Sequence, residues 1–315
     1  MFKVYVDGQE GTTGLQINER LEKHSNIEIL KIDPDKRKDS SERQRILNEA
    51  DVAFLCLPDV ASKEAAAMTT NPNTRLIDAS TAFRTDPDWV YGLPEMCKGQ
   101  REKIRNAKRV SNPGCYPTGF VLLVRPLVEK SIVSSNYPFT CHAVSGYSGG
   151  GKKLIATYEA PGAPHNHLMA RPYAFGLKHK HAPEMKIHGL LDRPPVFSPS
   201  VGNYYKGMIV MVPLLPYLCN VKNVTPAYLG DLYNEYYAGE RFVTVMQVND
   251  EALLDGGFLD PQGVNGTNLN QIFVYGHDDQ IMLVSRLDNL GKGASGAAVQ
   301  NMNLMLGFDE GLGLE

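Results

Sequence analysis

The sequence predicts an α/β protein of two domains: a Rossmann-type doubly wound parallel sheet, and an α+β catalytic domain on a mixed sheet. Three observations predict it. Over roughly the first hundred residues, short apolar runs ending in Gly, Pro or Asp alternate with helical stretches, the pattern of parallel strands joined by crossover helices. The first of these runs leads straight into a glycine turn. Later in the chain, apolar runs follow one another with less helix between them, as in a mixed sheet.

The first strand is Phe2 to Val6, followed by Gly8-Gln9-Glu10-Gly11-Thr12-Thr13-Gly14 and a helical pattern marked by Leu15, Ile17 and Leu21. The spacing is GxxGxxG rather than GxGxxG. It still lets the backbone turn sharply, approach a pyrophosphate and offer it the N–H groups of a helix start. Gly8, Gly11, Thr12, Thr13 and Gly14 are therefore candidate dinucleotide contacts, whereas Glu10 repels a phosphate unless its side chain points away. A second strand, Ile27 to Ile32, ends at Asp33, where an acid commonly takes the adenine ribose hydroxyls of NAD. Lys36, Arg37 and Lys38 follow; they either neutralise the 2′-phosphate of NADP or form a solvated charge run, and the residues leave both readings open. A third strand, Asp51 to Leu57, stops at Pro58, and a fourth, Arg75 to Asp78, runs into Ala79-Ser80-Thr81-Ala82-Phe83-Arg84. Doubly wound sheets bind ligands at such strand ends, which makes Pro58 and Ser80 cofactor candidates and Arg84 a candidate anion clamp.

Asn112-Pro113-Gly114-Cys115-Tyr116-Pro117 places one cysteine in a tight turn ahead of an apolar helical run, Thr118 to Val128. Pro117 suits the first helical turn, so Cys115 is expected beside free N–H groups and the positive end of the helix dipole, both of which favour thiolate. Cys115 is the candidate nucleophile. Cys56, Cys141 and Cys219 lie in apolar segments and read as small buried hydrophobes.

A strand from Phe139 to Val144 precedes Ser145-Gly146-Tyr147-Ser148-Gly149-Gly150-Gly151-Lys152-Lys153, read as a bare glycine-rich loop whose N–H groups face an oxyanion or phosphate. Ser145 and Asn112 are candidate substrate contacts with Arg84, and Gly146 is a candidate cofactor contact. Further on, His179-Lys180-His181 sits before Pro183 and Glu184, which look like a helix start. An imidazole here is a candidate acid or base for the cysteine. Alternation along an extended segment aims the two rings to opposite sides, which favours His179 and leaves His181 occupied at the helix start. His24 and His277 read as structural. Met208 to Leu215, Phe242 to Val248, Gln271 to Tyr275 and Gln280 to Leu287 read as strands of the second sheet. The tail from Asp288, including the cofactor candidate Asn289, is a small-residue helix start running through Met302, Leu304 and Met305.

Composition removes several classes of function. With 32 basic and 35 acidic residues the net charge is −3, and no basic stripe argues for nucleic acid. Five unevenly spaced cysteines, without CxxC or zinc spacing, predict a reducing compartment and no metal. The opening MFKVYVDGQEG enters a strand at once, which predicts no secretory leader, and no 18-residue apolar run predicts a membrane span. A cytoplasmic location is expected.

These motifs together resemble the N-acetyl-gamma-glutamyl-phosphate reductases, arginine-biosynthesis enzymes related to aspartate-semialdehyde dehydrogenase, in the shorter of that family's two forms. The resemblance runs through the GxxGTTG turn, DASTAFR at 78–84, GLPE at 92–95, SNPGCYPT at 111–118, SGYSGGGKK at 145–153, HKHAPEM at 179–185 and DNLGKGASGAAVQNMN at 288–303. It implies NADPH-dependent, phosphate-releasing reduction of an acyl phosphate, with Cys115 forming the covalent intermediate and a histidine of the HKH segment assisting. It also implies that the C-terminal helix returns to the first domain. The expected division is then a dinucleotide-binding domain 1–112 completed by 289–315, and a catalytic and oligomerisation domain 113–288. A homodimer or homotetramer is expected. The longer form reads more like GxxGYTG in the first turn, so no contact is carried over to Gln9 or Glu10. Two alternatives remain: a sister enzyme acting on another acyl phosphate such as aspartyl phosphate, and a non-enzymatic redox sensor that binds a dinucleotide.

Overall fold

The computed structural model describes residues 1–8, 11–37, 39–162, 164, 167 and 169–314. The chain forms two compact units: Met1–Pro94, Lys98–Gly114 and Ala294–Glu315 in the first, Glu95–Cys97 and Cys115–Gly293 in the second. The stretch Asn289–Gly293 thus goes with the second unit, although the sequence reading put it with the first.

The first unit runs β1 (Phe2–Asp7), α1 (Thr12–Leu21), β2 (Ile27–Leu30), α2 (Ser40–Glu49), β3 (Val52–Leu55), α3 (Asp59–Met68), β4 (Arg75–Asp78), β5 (Val90–Tyr91), α4 (Gln100–Asn106) and β6 (Arg109–Ser111). Its sheet has the order β2-β1-β3-β4-β6-β5, and every pairing is parallel. β3 is buried along its whole length, which is why its sequence, Val-Ala-Phe-Leu, is continuously apolar rather than alternating. In α1 the buried face is Gly14, Ile17 and Leu21. Leu15, expected on that face, is 45% exposed. The closing helix, Gly296–Leu306, is buried on almost every side and packs on α1, α4 and β4. Polar groups fix it there: Asn301 Nδ2 donates to the Gly92 carbonyl (2.9 Å), Arg75 donates to the Met305 carbonyl, and Arg101 pairs with Glu310 (2.8 Å).

The second unit runs α5 (Cys115–Glu129), β7 (Thr140–Gly146), α6 (Gly151–Glu159), β8 (Arg171–Pro172), α7 (Ala182–His188), β9 (Val196–Gly202), β10 (Met208–Leu214), α8 (Pro226–Tyr236), β11 (Val243–Val245), β12 (Asn270–His277) and β13 (Gln280–Leu287). Its sheet is mixed, in the order β11-β12-β13-β10-β7-β9-β8. Helix α5 lies on β10 and β13 and buries eleven residues from Tyr116 to Leu127. Pro126 inside it has no N–H, so the Leu122 carbonyl lacks its helical donor. The Tyr237 hydroxyl supplies one at 2.5 Å, and the Tyr233 hydroxyl donates to the neighbouring Leu123 carbonyl (2.5 Å).

Several boundaries differ from the sequence reading, each for a physical reason. The second and third strands are shorter than Ile27–Ile32 and Asp51–Leu57, because pairing with β1 stops at Leu30 and Leu55. Strands β8 and β9 had no strand signal: β9 is Val-Phe-Ser-Pro-Ser-Val-Gly, and Pro199 reads as a breaker. The tail forms a π-type turn, Gly291–Ser295, before its helix begins at Gly296.

Candidate active site

In the first unit, β1 delivers the chain into its glycine turn with Gly8 at φ +86°, a left-handed conformation that disfavours any side chain. There is also no room for one, since a Cβ on Gly8 would lie 2.3 Å from the Cys56 carbonyl oxygen at the end of β3. The Gly11 N–H closes the turn on the Gly8 carbonyl (3.0 Å), and α1 starts at Thr12 without a side-chain cap. Its first-turn N–H groups therefore point outward from an uncapped helix start. The Thr12 hydroxyl oxygen is buried with no hydrogen-bond partner among the described residues. An orphaned donor at an uncapped helix start fits the pyrophosphate of a dinucleotide. Arg43 neutralises Asp7 at the strand end (2.8 Å), while Gln9, Glu10 and Lys38 lie outside the described residues.

At the end of β2, Asp33 accepts from the Asp35 N–H (3.0 Å) and caps the short helix Pro34–Lys36, with Lys36 and Arg37 exposed beside it. Pro58 occupies the cap position of α3. Ser80 donates to Asp78 (2.7 Å) and accepts from the Ala82 N–H (3.0 Å), which shapes the loop after β4. Burial pushes the Asp78 carboxyl above its ordinary value, against hydrogen bonding from nearby hydroxyls and the charge of Arg84. Arg84 itself is 8% exposed and donates to the Ala79 carbonyl (2.9 Å), so its guanidinium braces this loop. Asn112 is braced as well: its amide donates to the Ala294 carbonyl (2.9 Å) and its oxygen accepts from Asn301 (3.2 Å).

In the second unit, Cys115 is the first residue of α5 and half-buried, rather than in a turn three residues ahead of the helix. The helix start therefore carries the thiol itself. Its neighbour Tyr116 is the hub of an aromatic cluster, with ring centroids 5.9 Å from His179, 5.8 Å from His181 and 5.1 Å from Phe197. Both histidines reach it because His181 is in the right-handed helical region at the start of α7 and not in an extended segment, so the expected alternation of the rings does not hold. The two imidazoles are 4.8 Å apart, and the His181 N–H donates to His179 Nδ1 (3.1 Å). Burial, helped by the Lys180 charge, pushes His179 down to about 4. Neutral His179 accepting at Nδ1 carries its proton on Nε2. Tyr173 donates to the Tyr116 hydroxyl (3.2 Å), and burial pushes Tyr173 up to about 12 and Tyr116 well above its ordinary value, with charge on Cys115 adding to both. Burial also raises the thiols of Cys56, Cys141 and Cys219.

The stretch 145–153 is not a bare loop. It is the end of β7, a 3₁₀ turn Tyr147–Gly150 and the start of α6. The N–H groups of Gly146, Tyr147 and Ser148 donate to the carbonyls of Gly207, Tyr204 and Tyr205 (2.9–3.0 Å), which removes them as oxyanion donors. Ser145 is buried, with its hydroxyl on the Gly146 carbonyl (3.3 Å). Asn289 holds the same region, accepting from the Gly207 N–H (2.7 Å) and donating to Ser148 (3.0 Å). Gly293, not singled out from sequence, backs Cys115: a Cβ there would lie 2.7 Å from the Cys115 Cβ. Tyr116 and Tyr173 were also missed, since only the fold brings them to the imidazoles. Among the described residues, no group of three or more His, Cys, Asp or Glu side chains is arranged to hold a metal, and no helix is long and apolar enough to cross a membrane.

Two family profiles match the chain: the semialdehyde dehydrogenase NAD binding domain at residues 3–107, and the semialdehyde dehydrogenase dimerisation domain at residues 115–289. Their first description makes a nicotinamide dinucleotide the cofactor class. The chain is 50% identical over 320 residues to N-acetyl-gamma-glutamyl-phosphate reductase 2 of Nostoc sp. strain PCC 7120, covering 99% of both. It is 50% identical over 310 residues to N-acetyl-gamma-glutamyl-phosphate reductase of Allorhizobium ampelinum, covering 96% of this chain and 98% of the relative. Among solved structures, aspartate semialdehyde dehydrogenase II of Vibrio cholerae shares the fold with a TM-score of 0.72 at 15% identity, over 97% of this chain and 98% of that one. On the profile matches and the half-identical, full-length relatives, the chain belongs to the N-acetyl-gamma-glutamyl-phosphate reductase family of the semialdehyde dehydrogenases.

Proposed function

We propose that this chain reduces N-acetyl-gamma-glutamyl phosphate to N-acetylglutamate semialdehyde with release of phosphate, a step of arginine biosynthesis, using NADPH and a Cys115 thioester. The observation that carries the mechanism is the placing of both imidazoles against Tyr116, next to Cys115 on the first turn of α5. The thiolate attacks the acyl carbon, the C–S bond forms, and the bond to the phosphate oxygen breaks, so phosphate leaves. The N–H groups of the first turn of α5 face the oxygen that gains charge. Bound nicotinamide supplies the hydride that reduces the thioester carbon. His179, with Nδ1 held by His181 and its proton on Nε2, donates a hydrogen bond to the developing oxyanion. As the C=O bond re-forms, sulfur departs with the electron pair as thiolate, and the aldehyde is released.

Gly8, Gly11, Thr12, Thr13 and Gly14 would hold the pyrophosphate, and exposed Lys36 and Arg37 the 2′-phosphate, while Asp33 is turned to its own cap. Arg84, Asn112, Ser145, Gly146 and Asn289 would shape the site through the hydrogen bonds that commit them. We also read the protein as a cytoplasmic homo-oligomer, supported by five cysteines that form no disulfide and by the exposed apolar residues Phe175, Leu177, Ile187 and Val196 of the second unit. The test runs the reaction backward: N-acetylglutamate semialdehyde, phosphate and NADP, followed by NADPH absorbance. Turnover is expected, slower by about a hundredfold or more with aspartate semialdehyde. No absorbance change with the acetylated substrate would sink the assignment. Equal efficiency with NAD, unchanged in a Lys36→Ala/Arg37→Ala variant, would sink the NADP reading.

A further inference from the structure

A buried ion pair in the second unit is used nowhere in this chemistry. Lys292 Nζ lies 2.7 Å from Glu95 Oε1, both side chains are 0% exposed, and the two residues are 197 positions apart in the chain. Glu95 lies in the short helix Pro94–Met96, within the three residues Glu95–Cys97 that belong to the second unit while both flanking stretches belong to the first. Lys292 stands in the π-type turn Gly291–Ser295, its ammonium 5.6 Å from the centre of the buried Phe242 ring. Such turns are rare and frequent at functional sites.

The turn is held at its base and at Lys292. At its base the Asp288 carbonyl accepts from the N–H groups of Gly291 (3.1 Å) and Gly293 (3.0 Å), and the Asp288 carboxylate accepts from Leu290 (2.9 Å) and Gly266 (2.8 Å). Beyond the base, Lys292 is tied to Glu95. The next residue, Gly293, packs so closely on Cys115 that a Cβ would come within 2.7 Å of the Cys115 Cβ and 3.1 Å of its Cα. Burying two opposite charges seldom stabilises a fold over an apolar pair of similar volume, so stability alone does not account for the choice of Lys and Glu. A charge pair does fix one register of the turn, because any shift separates charges that have no water to replace them.

We propose that Glu95 and Lys292 are positioning residues for the nucleophile: their ion pair locks the turn so that Gly293 backs Cys115 and holds its sulfur in one attacking orientation. This rests on Cys115 being the nucleophile. The test is Glu95→Leu/Lys292→Met, which removes both charges together and leaves neither buried alone, in the full-length protein. Three readings are taken: thermal midpoint, the split of kcat from KM, and the rate at which iodoacetamide alkylates Cys115, followed by peptide mass spectrometry. The folded variant is expected to lose about tenfold or more in kcat and in alkylation rate, with KM within about threefold. A folded double variant with both rates within about twofold of the parent overturns the proposal. Gly293→Ala reads the same contact with the ion pair intact and decides the question if the double variant does not fold; the same losses are expected, and parental rates overturn it. Alkylation needs no substrate, so the two ideas fail separately: activity retained by Cys115→Ser removes the nucleophile, whereas normal kcat and alkylation in the positioning variants remove only the clamp.

Discussion

Two helix starts carry the proposed chemistry, and they treat charge differently. At α1 the start is empty of side-chain caps: Gly11 precedes it, Thr12 keeps a buried hydroxyl without a partner, and the N–H groups are left for an anion from outside. At α5 the start carries its own anion-to-be, since the first residue is Cys115. On the proposed function, one terminus binds and the other reacts. A helix N-terminus is worth roughly 0.3–1 kcal/mol to a nearby negative charge, too little by itself to make a catalyst. The difference lies in the surroundings: among the described residues, no side chain caps α1, whereas beside α5 lies a cluster of two phenols and two imidazoles.

The comparison is broken most directly at the sulfur. Cys115→Ser is expected to lower turnover by at least about 10³-fold, because a hydroxyl at its ordinary pKa is a poor nucleophile, while the dissociation constant of NADPH stays within about twofold. Stopped-flow turnover and fluorescence titration measure the two. Loss of both would mean that the starts are not independent, and retained turnover would remove Cys115 from the reaction.

His179→Ala comes next, with an expected loss of about 10²- to 10⁴-fold in kcat, the usual worth of positioned acid–base groups. Because burial holds His179 down to about 4, the acid limb of the rate profile attributable to it should lie near that pH and vanish in the variant. The sign for stability follows from the same shift. The unfolded chain takes up this proton near the ordinary value of about 6.5 and the folded protein only near 4, so the related stability is intact above about pH 6.5 and is lost as pH falls through about 4. An imidazole titrating near 6.5 in the folded protein by NMR would contradict this. His181→Ala should leave the acid limb in place.

The smallest effect belongs to the binding start. Thr12→Val removes one hydrogen-bonding group and should weaken NADPH about tenfold, leaving Cys115 alkylation unchanged. Unaltered affinity would show that the Thr12 hydroxyl does not meet the cofactor.

How much of this was legible in the sequence depends on whether the signal was local. The GxxGxxG turn, β4 and the start of α7, with Pro183 in its first turn, could be read because turn glycines, a run of apolar residues and an N-terminal proline act within a few residues. Pro199 concealed β9: a missing N–H argues against a strand, yet the strand persists and the Pro199 carbonyl still accepts from Tyr173 (3.0 Å). The stretch 145–153 was misread because glycines announce freedom without saying what their N–H groups will meet. Gly293 and the Glu95–Lys292 pair had no local signal at all, since each contact exists only after distant segments have met.

The closing helix has a consequence for how the protein is made. Residues 296–306 pack on α1, α4 and β4, so the first unit lacks a buried piece of its own layer until those residues have left the ribosome. The whole of Cys115–Gly293 is synthesised in that interval, which at ordinary elongation rates lasts about ten seconds or more. The later-made unit is contiguous apart from Glu95–Cys97 and can fold as it emerges, while the earlier-made one waits with apolar surface uncovered. Birth order and completion order are thus reversed, and the nascent sheet of β1, β3 and β4 is the stretch a chaperone would need to shield.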